Sequence, residues 1–580
     1  MTKMSTAAPI SRKALFVSLV SSLLLLSSVE LQAQVVLAPP TPQVGSSNTV
    51  SADPPVPRPR TTPCTVQLFQ NLEFADFNLK PFSYAPPPGC PGPWAKVVFT
   101  ADFTVTAGRQ FDRTAKFFLG GVNIYFGTTA EPRAALSPSW HVESDVTGLS
   151  ALFRSAQNGF ANIGNFVGVS AGVTFNGIIF ANAQLEFYPA SSRSGDRAAR
   201  VPDLVIGLQG EGDGATLNTS ASQLSKPLAL PTNVESAYLD VIAQSQSNDE
   251  FWYLCVPDEL AAALQSCGST GFRETEVSID GQPAGVAPVY PWIYTGGIDP
   301  FLWEPIPGVQ TLNFKPYRVD LTPFAGLLSD GHQHTVALNV FNANSNFVAT
   351  ATLLLHTDPG SRKVIGSVVR NDLAAEPSPR ITNNITVGSN GDANGSVSVA
   401  SDRQYEISGY VKTSHGIVET TVRQALSFKN TQHFTINATN YIQDLSQSTT
   451  VKAKTITRGI FSVTEDAREL SYPLTIHFGQ TTNPDGSLSV NTTSNQRYLA
   501  EDVRRFDGFP VSADETSNEV STNDTLNFNS AGARTGNTGA SSQNYFTEDA
   551  RGSCYSRILT SVNNVLTASK DGGRCSPAPK

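Results

Sequence analysis

Apolar and polar positions alternate in short runs along most of this chain. Residues 96–106 (KVVFTADFTVT), 183–189 (AQLEFYP), 237–244 (AYLDVIAQ), 274–280 (ETEVSID) and 334–341 (HTVALNVF) follow period two, the mark of strands with one face on a core. Gly, Pro, Asn and Asp break these runs, and Asp280-Gly281 and Asp330-Gly331 are hairpin signals. Helical spacing is confined to a short segment at 258–266 and one turn at 320–328. The pattern predicts an all-β protein made of sandwiches or barrels. Polar, small-residue stretches at 191–202, 210–230 and 358–378 divide it into a first β-sandwich at 64–190, a second at 231–357 and a β-rich C-terminal region at 361–580. From Ser512 onward the chain grows polar and its period weakens.

The N-terminus reads differently. Lys3, Arg12 and Lys13 precede the apolar run 14–26, ALFVSLVSSLLLL. This predicts a secretory signal peptide over 1–33 with cleavage near Ala33, an uncleaved signal anchor being the alternative. The run is shorter than the roughly 20 residues of a bilayer span. No second apolar run follows, so stable membrane insertion is not expected. Residues 34–63 are Pro-rich and lack any period, as in a disordered or extended linker.

Charged residues make up only 15% of the 580 and the net charge is -9 without a basic cluster. That balance suits an extracellular protein and argues against nucleic acid as a partner. The six cysteines fall into pairs close in sequence, Cys64 with Cys90, Cys255 with Cys267 and Cys554 with Cys575. Disulfides in a secreted chain are expected, nearest-neighbour pairing being one of 15 connectivities. Six Asn-x-Ser/Thr sites, Asn218, Asn384, Asn394, Asn437, Asn491 and Asn523, fit a secreted glycoprotein.

Two stretches concentrate candidate chemistry. Residues 108–133 (GRQFDRTAKFFLGGVNIYFGTTAEPR) set Arg109, Asp112, Arg113, Lys116, Glu131 and Arg133 into what otherwise reads as two strands and a turn. Asp112 and Arg113, side by side on a strand, would point to opposite faces, and an inward carboxylate needs a partner or a task. Residues 248–253 (NDEFWY) put Asp249 and Glu250 beside Phe251, Trp252 and Tyr253, a combination suited to sugar binding and acid–base work. Because the two stretches fall on different sandwiches, a site at the interface is expected. His332 and His334 (GHQH) lack the accompanying acids or cysteines of a metal centre. The literal Gly-x-Ser-x-Gly at 168–172 is followed by VTFNGIIF, a strand rather than the helix that a nucleophile elbow requires. No metal or other cofactor is expected.

These stretches also carry a resemblance. GRQFDR, LGGV, TAEPR, NDEFWY, YTGGIDPFLWEP and VDLTPFAGLLSDG, in this order between about Pro63 and His356, resemble the acidic peptide N-glycanases of plants and fungi, the peptide N-glycanase A family. Beyond Ser361 the likeness is carried mainly by SGYVKTSHG. Around Phe111-Asp112-Arg113 the chain is also similar to bacterial peptide N-glycanase F, which carries an aromatic-Asp-Arg triplet on a strand of a double jelly roll. The resemblance implies two adjoining jelly-roll-like sandwiches and hydrolysis of the Asn–GlcNAc amide of N-glycosylated peptides or proteins. It implies Asp112 and Glu250 as catalytic carboxylates, with Phe111, Arg113, Glu131, Arg133, Asp249 and Trp252 at the substrate. Trp252 would stack on the chitobiose core, and Asp249 could take the role of Glu250. A third bacterial glutamate has no counterpart in 158–166 (NGFANIGNF), leaving Asn162, Asn165 or Glu131 for its task. A two-carboxylate glycosidase and a non-catalytic carbohydrate-binding sandwich are the competing readings.

Overall fold

A computed structural model describes residues 34–191 and 197–575; the predicted signal peptide lies outside them. Ten strands come first: β1 (Cys64–Phe74), β2 (Lys80–Tyr84), β3 (Trp94–Val105), β4 (Thr114–Leu119), β5 (Val122–Thr128), β6 (Ser139–Asp145), β7 (Gln157–Ile163), the small hairpin β8 (Gly168–Ser170) and β9 (Val173–Phe175), and β10 (Ile179–Pro189). Two antiparallel sheets, ordered β1-β10-β3-β6 and β2-β7-β4-β5, face each other. With the small hairpin set aside this is the strand order of an eight-stranded jelly roll. Aromatic side chains fill the space between the sheets: Phe99 lies 5.6 Å from Tyr125 and Phe103 6.0 Å from Phe117, ring to ring.

The second set repeats the order. It comprises β11 (Leu204–Gly207), β12 (Ala215–Leu217), β13 (Leu224–Ala229), β14 (Val234–Gln246), β15 (Glu274–Ile279), β16 (Gln282–Pro288), β17 (Tyr317–Asp320), β18 (Gln333–Phe341) and β19 (Asn346–Thr357). Its sheets run β11-β19-β14-β17 and β13-β18-β15-β16, with β12 beside β19. The strands begin at Leu204, ahead of the 231 expected: β11 and β12 have only 4 and 3 residues, and Pro227 interrupts the pattern of β13. Asp280-Gly281 joins β15 to β16 with both residues at positive φ, 50° and 77°, the geometry of a tight two-residue hairpin turn. Asp330-Gly331 instead follows a one-turn helix, Ala325–Leu328, and leads into β18, so that signal marks a turn without a hairpin.

Thirteen antiparallel strands from Ile365–Asn371 to Val565–Asp571 build one large sheet among the described residues. Its central strands are long: Ala393–Thr413 and Gly416–Ile436 have 21 residues each. The polar stretch after Ser512 is part of it, as Phe509–Phe528 and Arg534–Asp549. The inner face combines apolar side chains such as Phe428, Leu445 and Val520 with buried amides. Gln424 binds the carbonyl of Val286, Asn430 that of Tyr253, Gln432 that of Cys255 and Gln496 that of Pro291. These amides satisfy backbone groups that the second sandwich leaves without ladder partners. The polarity of this face blunted the period-two signal in the sequence.

Residues 34–63 are extended but packed. Gly45 and Leu566 exchange backbone contacts through Ser46, Val50 donates to the Pro305 carbonyl, and Arg58 ion-pairs with Glu143 and Glu186. The segment ties the first sandwich to the C-terminal sheet. Disulfides join Cys64 to Cys90, Cys255 to Cys267 and Cys554 to Cys575. The six sequon asparagines are all exposed. Among the described residues no helix is long and apolar enough to cross a membrane.

Candidate active site

The site begins at the open end of the β4–β5 hairpin. Gly120 and Gly121 close the far end with positive φ, and Thr114 pairs with Thr128 at the near end. Asp112 and Arg113 therefore stand immediately before β4 and Glu131 just after β5, side by side. This corrects the expectation that Asp112 and Arg113 occupy a strand. Both lie in the lead-in, where the Arg113 carbonyl still accepts from the Thr129 amide at 2.8 Å and the two side chains interact through their charges. The Asp112 amide donates to Glu131 Oε2 at 3.0 Å, and the Arg113 amide to Thr129 Oγ1 at 2.9 Å.

The second sandwich supplies the opposite wall. The connection between β16 and β17 crosses to β5, where Thr311 O accepts from the Thr128 amide at 2.9 Å and the Phe314 amide donates to Phe126 O at 2.8 Å. Thr295 Oγ1 donates to Thr129 O at 2.7 Å, and the next residue, Gly296, donates its amide to Asp112 Oδ2 at 2.8 Å. A Cβ at 296 would collide with Glu131 Oε2 and press on Asp112 Oδ1 at 3.1 Å. The two carboxylates thus close over a bare backbone that only glycine provides. No pattern of residue types marks Gly296 in the sequence. The one available hint was its place in YTGGIDPFLWEP.

Glu250 arrives from the end of β14. Gln244 and Gln246 both donate to Thr114 Oγ1, at 3.1 and 2.7 Å, which pins that strand end against the start of β4. Asp249 is 0% exposed. Its Oδ1 accepts from Arg273 Nη2 at 2.9 Å, and its Oδ2 from the amides of Asn344, Ser345 and Asn346 at 3.0, 2.7 and 3.0 Å. With both oxygens occupied and no surface, Asp249 cannot contact substrate. It anchors the turn that carries Glu250. Trp252 is 1% exposed and packs on Tyr253 and Phe428, so it is a core residue and offers no platform to a sugar. The exposed aromatic at the site is Phe111, 43% accessible, 5.1 Å from Phe175 and 5.5 Å from the Arg113 guanidinium. Arg133 does not reach the carboxylates and pairs with Glu304 at 2.9 Å. Asn165, fully buried, donates its amide to Phe74 O and Gly177 O and accepts from Arg113 Nε at 3.4 Å, so it backs Arg113. Asn162 sits within the β4–β7 ladder opposite Lys116. Of the three candidates for a third acidic function, Glu131 is the one in contact with Asp112.

Charge is unevenly distributed here. Burial pushes Asp112 above the usual carboxylate range, opposed by the Gly296 amide and by Arg113. Burial, reinforced by the charge of Asp112, pushes Glu131 and Glu250 up to about 7 each. Asp112 is the carboxylate whose ionised form has a peptide donor and a cation. The other two keep protons in its field. The GHQH histidines are not part of this: His334 is clasped by Asp280 at 2.6 Å and Asp330 at 3.1 Å. Elsewhere Glu235, Asp358 and His415 place donor atoms within 4.8 Å of one another, but Asp358 already accepts from Ser414 and Gly360 as a loop anchor.

Residues 53–372 match the family described as peptide N-acetyl-beta-D-glucosaminyl asparaginase amidase A. The chain belongs to this family. Residues 396–474 match the C-terminal domain of the same amidases. Over 414 residues the chain is 30% identical to the peptide-N4-(N-acetyl-beta-glucosaminyl)asparagine amidase A of Prunus dulcis, spanning 67% of this chain and 70% of that protein. Among solved structures it is similar to the glycosylasparaginase PNGase F of Flavobacterium meningosepticum, with 12% identity, a TM-score of 0.33, and 51% of this chain and 96% of that chain covered. PNGF-II gives the same identity and TM-score, over 51% of this chain and 65% of that one. Asp112, Glu131, Glu250 and Gly296 all fall inside the matched amidase region.

Proposed function

We propose that this chain cleaves the amide between an asparagine side chain and the first N-acetylglucosamine of N-glycans on peptides and proteins, with Asp112, Glu250 and Glu131 as its working carboxylates. The reaction follows from the family: the chain is a peptide-N4-(N-acetyl-beta-glucosaminyl)asparagine amidase. The residue roles rest on one observation. A carboxylate held by a peptide N–H and faced by a guanidinium lies against Glu131, and its charge together with burial holds Glu131 and Glu250 up to about 7. Donors to the ionised form of Asp112, beside glutamates that burial holds near 7, divide base from acid as hydrolysis of an unreactive amide needs.

Water beside Asp112 gives a proton to the carboxylate as its oxygen bonds to the amide carbon. The carbonyl oxygen becomes an oxyanion, which Arg113 faces. Glu250 then gives its proton to the nitrogen as the C–N bond breaks. The peptide leaves with aspartate in place of asparagine and the glycan leaves as a glycosylamine. Glu131 fixes the Asp112 peptide through its 3.0 Å contact. Phe111 offers its face to the first sugar. Three disulfides and six exposed sequons favour a secretory route to an extracellular or vacuolar setting.

The test is a glycopeptide digest read by mass spectrometry, with wild type beside Asp112→Asn. An amidase yields the Asp peptide and intact chitobiose. A glycosidase leaves a sugar on Asn, and a binding module leaves the substrate whole. Asp112→Asn is expected to lose roughly 10²–10⁴-fold in rate with unchanged melting. Retention of more than about a tenth of the wild-type rate would remove Asp112 from the mechanism.

A further inference from the structure

The loop that carries Gly296 is gripped from the C-terminal sheet. Its 3-10 turn, Pro300–Trp303, is the point of attachment. Thr522 Oγ1 donates to Leu302 O at 2.8 Å, and Asn564 Nδ2 donates to Phe301 O at 2.7 Å and Glu304 O at 3.1 Å. The Arg534 guanidinium sits 4.2 Å over the Phe301 ring. Asp524, fully buried on the same strand as Thr522, faces Asp299, the residue that caps the turn by accepting from the Phe301 amide at 2.9 Å. Inside the turn, Trp303 Nε1 donates to Gly297 O at 2.8 Å, which passes the grip to the residue after Gly296. The Gly296 amide then meets Asp112.

We propose that Thr522 and Asn564 are positioning residues for the amidase reaction: through the Pro300–Trp303 turn they hold the Gly296 amide against Asp112. The C-terminal sheet is in this way part of the active-site support, with residues beyond the 396–474 match. Asn564 suits its place twice. It occupies the positive-φ turn between Cys554–Val562 and Val565–Asp571, at φ 63°, which asparagine tolerates, and its amide bridges two carbonyls of the loop. The inference rests on the reading of Asp112 as the base. Asp112 is faced by Arg113, Glu131, Glu250 and Tyr294, and none of these is touched by the two residues named.

The experiment uses the full chain and a defined glycopeptide. Asn564→Gly keeps the positive-φ turn and removes the grip; Thr522→Val removes the hydroxyl at nearly constant volume. Each is expected to lower kcat by roughly tenfold with KM within about twofold, since the chemistry is misplaced and the substrate face is not. The acid limb of kcat/KM is expected to move up by roughly half to one pH unit, because Asp112 loses a donor to its charged form. Thr522→Ser should restore both kcat and the limb. Folded variants whose activity follows only the folded fraction, with the acid limb in its wild-type place, would overturn the proposal. If Asp112→Asn itself stays active, the reading of the base fails instead, so the two failures are told apart.

Discussion

Adding one methyl group at residue 296 tests how the two carboxylates are held. Gly296 does not need positive φ, so Gly296→Ala brings little backbone strain and acts through its Cβ alone. That atom collides with Glu131 Oε2 and sits 3.1 Å from Asp112 Oδ1, where ordinary contact begins at 3.4 Å. Asp112 has to give by a few tenths of an ångström, and Glu131 by about 1 Å, enough to break its 3.0 Å bond from the Asp112 amide. The Glu131 carboxylate ends a flexible side chain and swings aside at little cost in stability, but it is the support of Asp112, and a misplacement of about 1 Å in such a support costs on the order of 10²-fold in rate. Gly296→Ala is therefore expected to lose about 10²-fold in kcat/KM for a glycopeptide, read by chromatography of the released peptide, with a melting curve near that of wild type. A folded Gly296→Ala protein with more than about a third of wild-type kcat/KM would refute the convergence of Asp112 and Glu131 over this backbone.

Other expectations follow from the same geometry. Glu250 must be protonated to act, and it is held up to about 7, so the rate should fall as pH rises through about 7; Glu250→Gln should slow the reaction and remove that limb from the pH–rate profile. For stability the sign is the same. Glu131 and Glu250 titrate higher in the folded chain than their ordinary 4.5, so what they contribute is fully present below about 4.5 and is lost as pH rises toward about 7, which melting across that window in wild type and Glu250→Gln will show. Asp249→Ala should destabilise by about 3–5 kcal/mol in denaturant titration, because it strands the buried Arg273 charge, while KM stays near wild type; a large KM effect without loss of stability would return Asp249 to the substrate. Phe111→Ala should raise KM with unchanged melting, since the ring is exposed, and an unaltered KM would mean that the sugar docks elsewhere.

How much of this was legible in the chain differs from residue to residue. Alternation marked β3, β10, β14, β15 and β18 because each has one face on an apolar core, and such a core leaves a period in the sequence. It weakened beyond Ser512, in a region still read as β-rich, because the inner face there is lined partly by polar side chains that bind backbone, such as Thr522 on Leu302 O and Asn564 on Phe301 O. Asp112, Glu131 and Glu250 stood out as acids in two dense ionisable and aromatic stretches, and the resemblance to the amidase motifs singled out Asp112 and Glu250. Trp252 and Asp249, in one of those stretches, misled. A tryptophan beside acids reads alike whether its face meets a sugar or Phe428, and an aspartate reads alike whether its partner is substrate or a buried arginine 24 residues away.

The sequence by itself determined the all-β class, the tight turn at Asp280-Gly281 and the acids available for chemistry, since period, turn conformation and ionisability belong to residues and their near neighbours. Tertiary structure decided which acids meet. Asp112, Glu250 and Gly296 come from three separate connections, and their approach depends on Thr114 accepting from β14, on the loop between β16 and β17 crossing to β5, and on a glycine without a Cβ where the carboxylates close. Those contacts span between about 130 and 184 residues of chain, and no local pattern encodes them, because burial and hydrogen bonding are settled by what packs opposite.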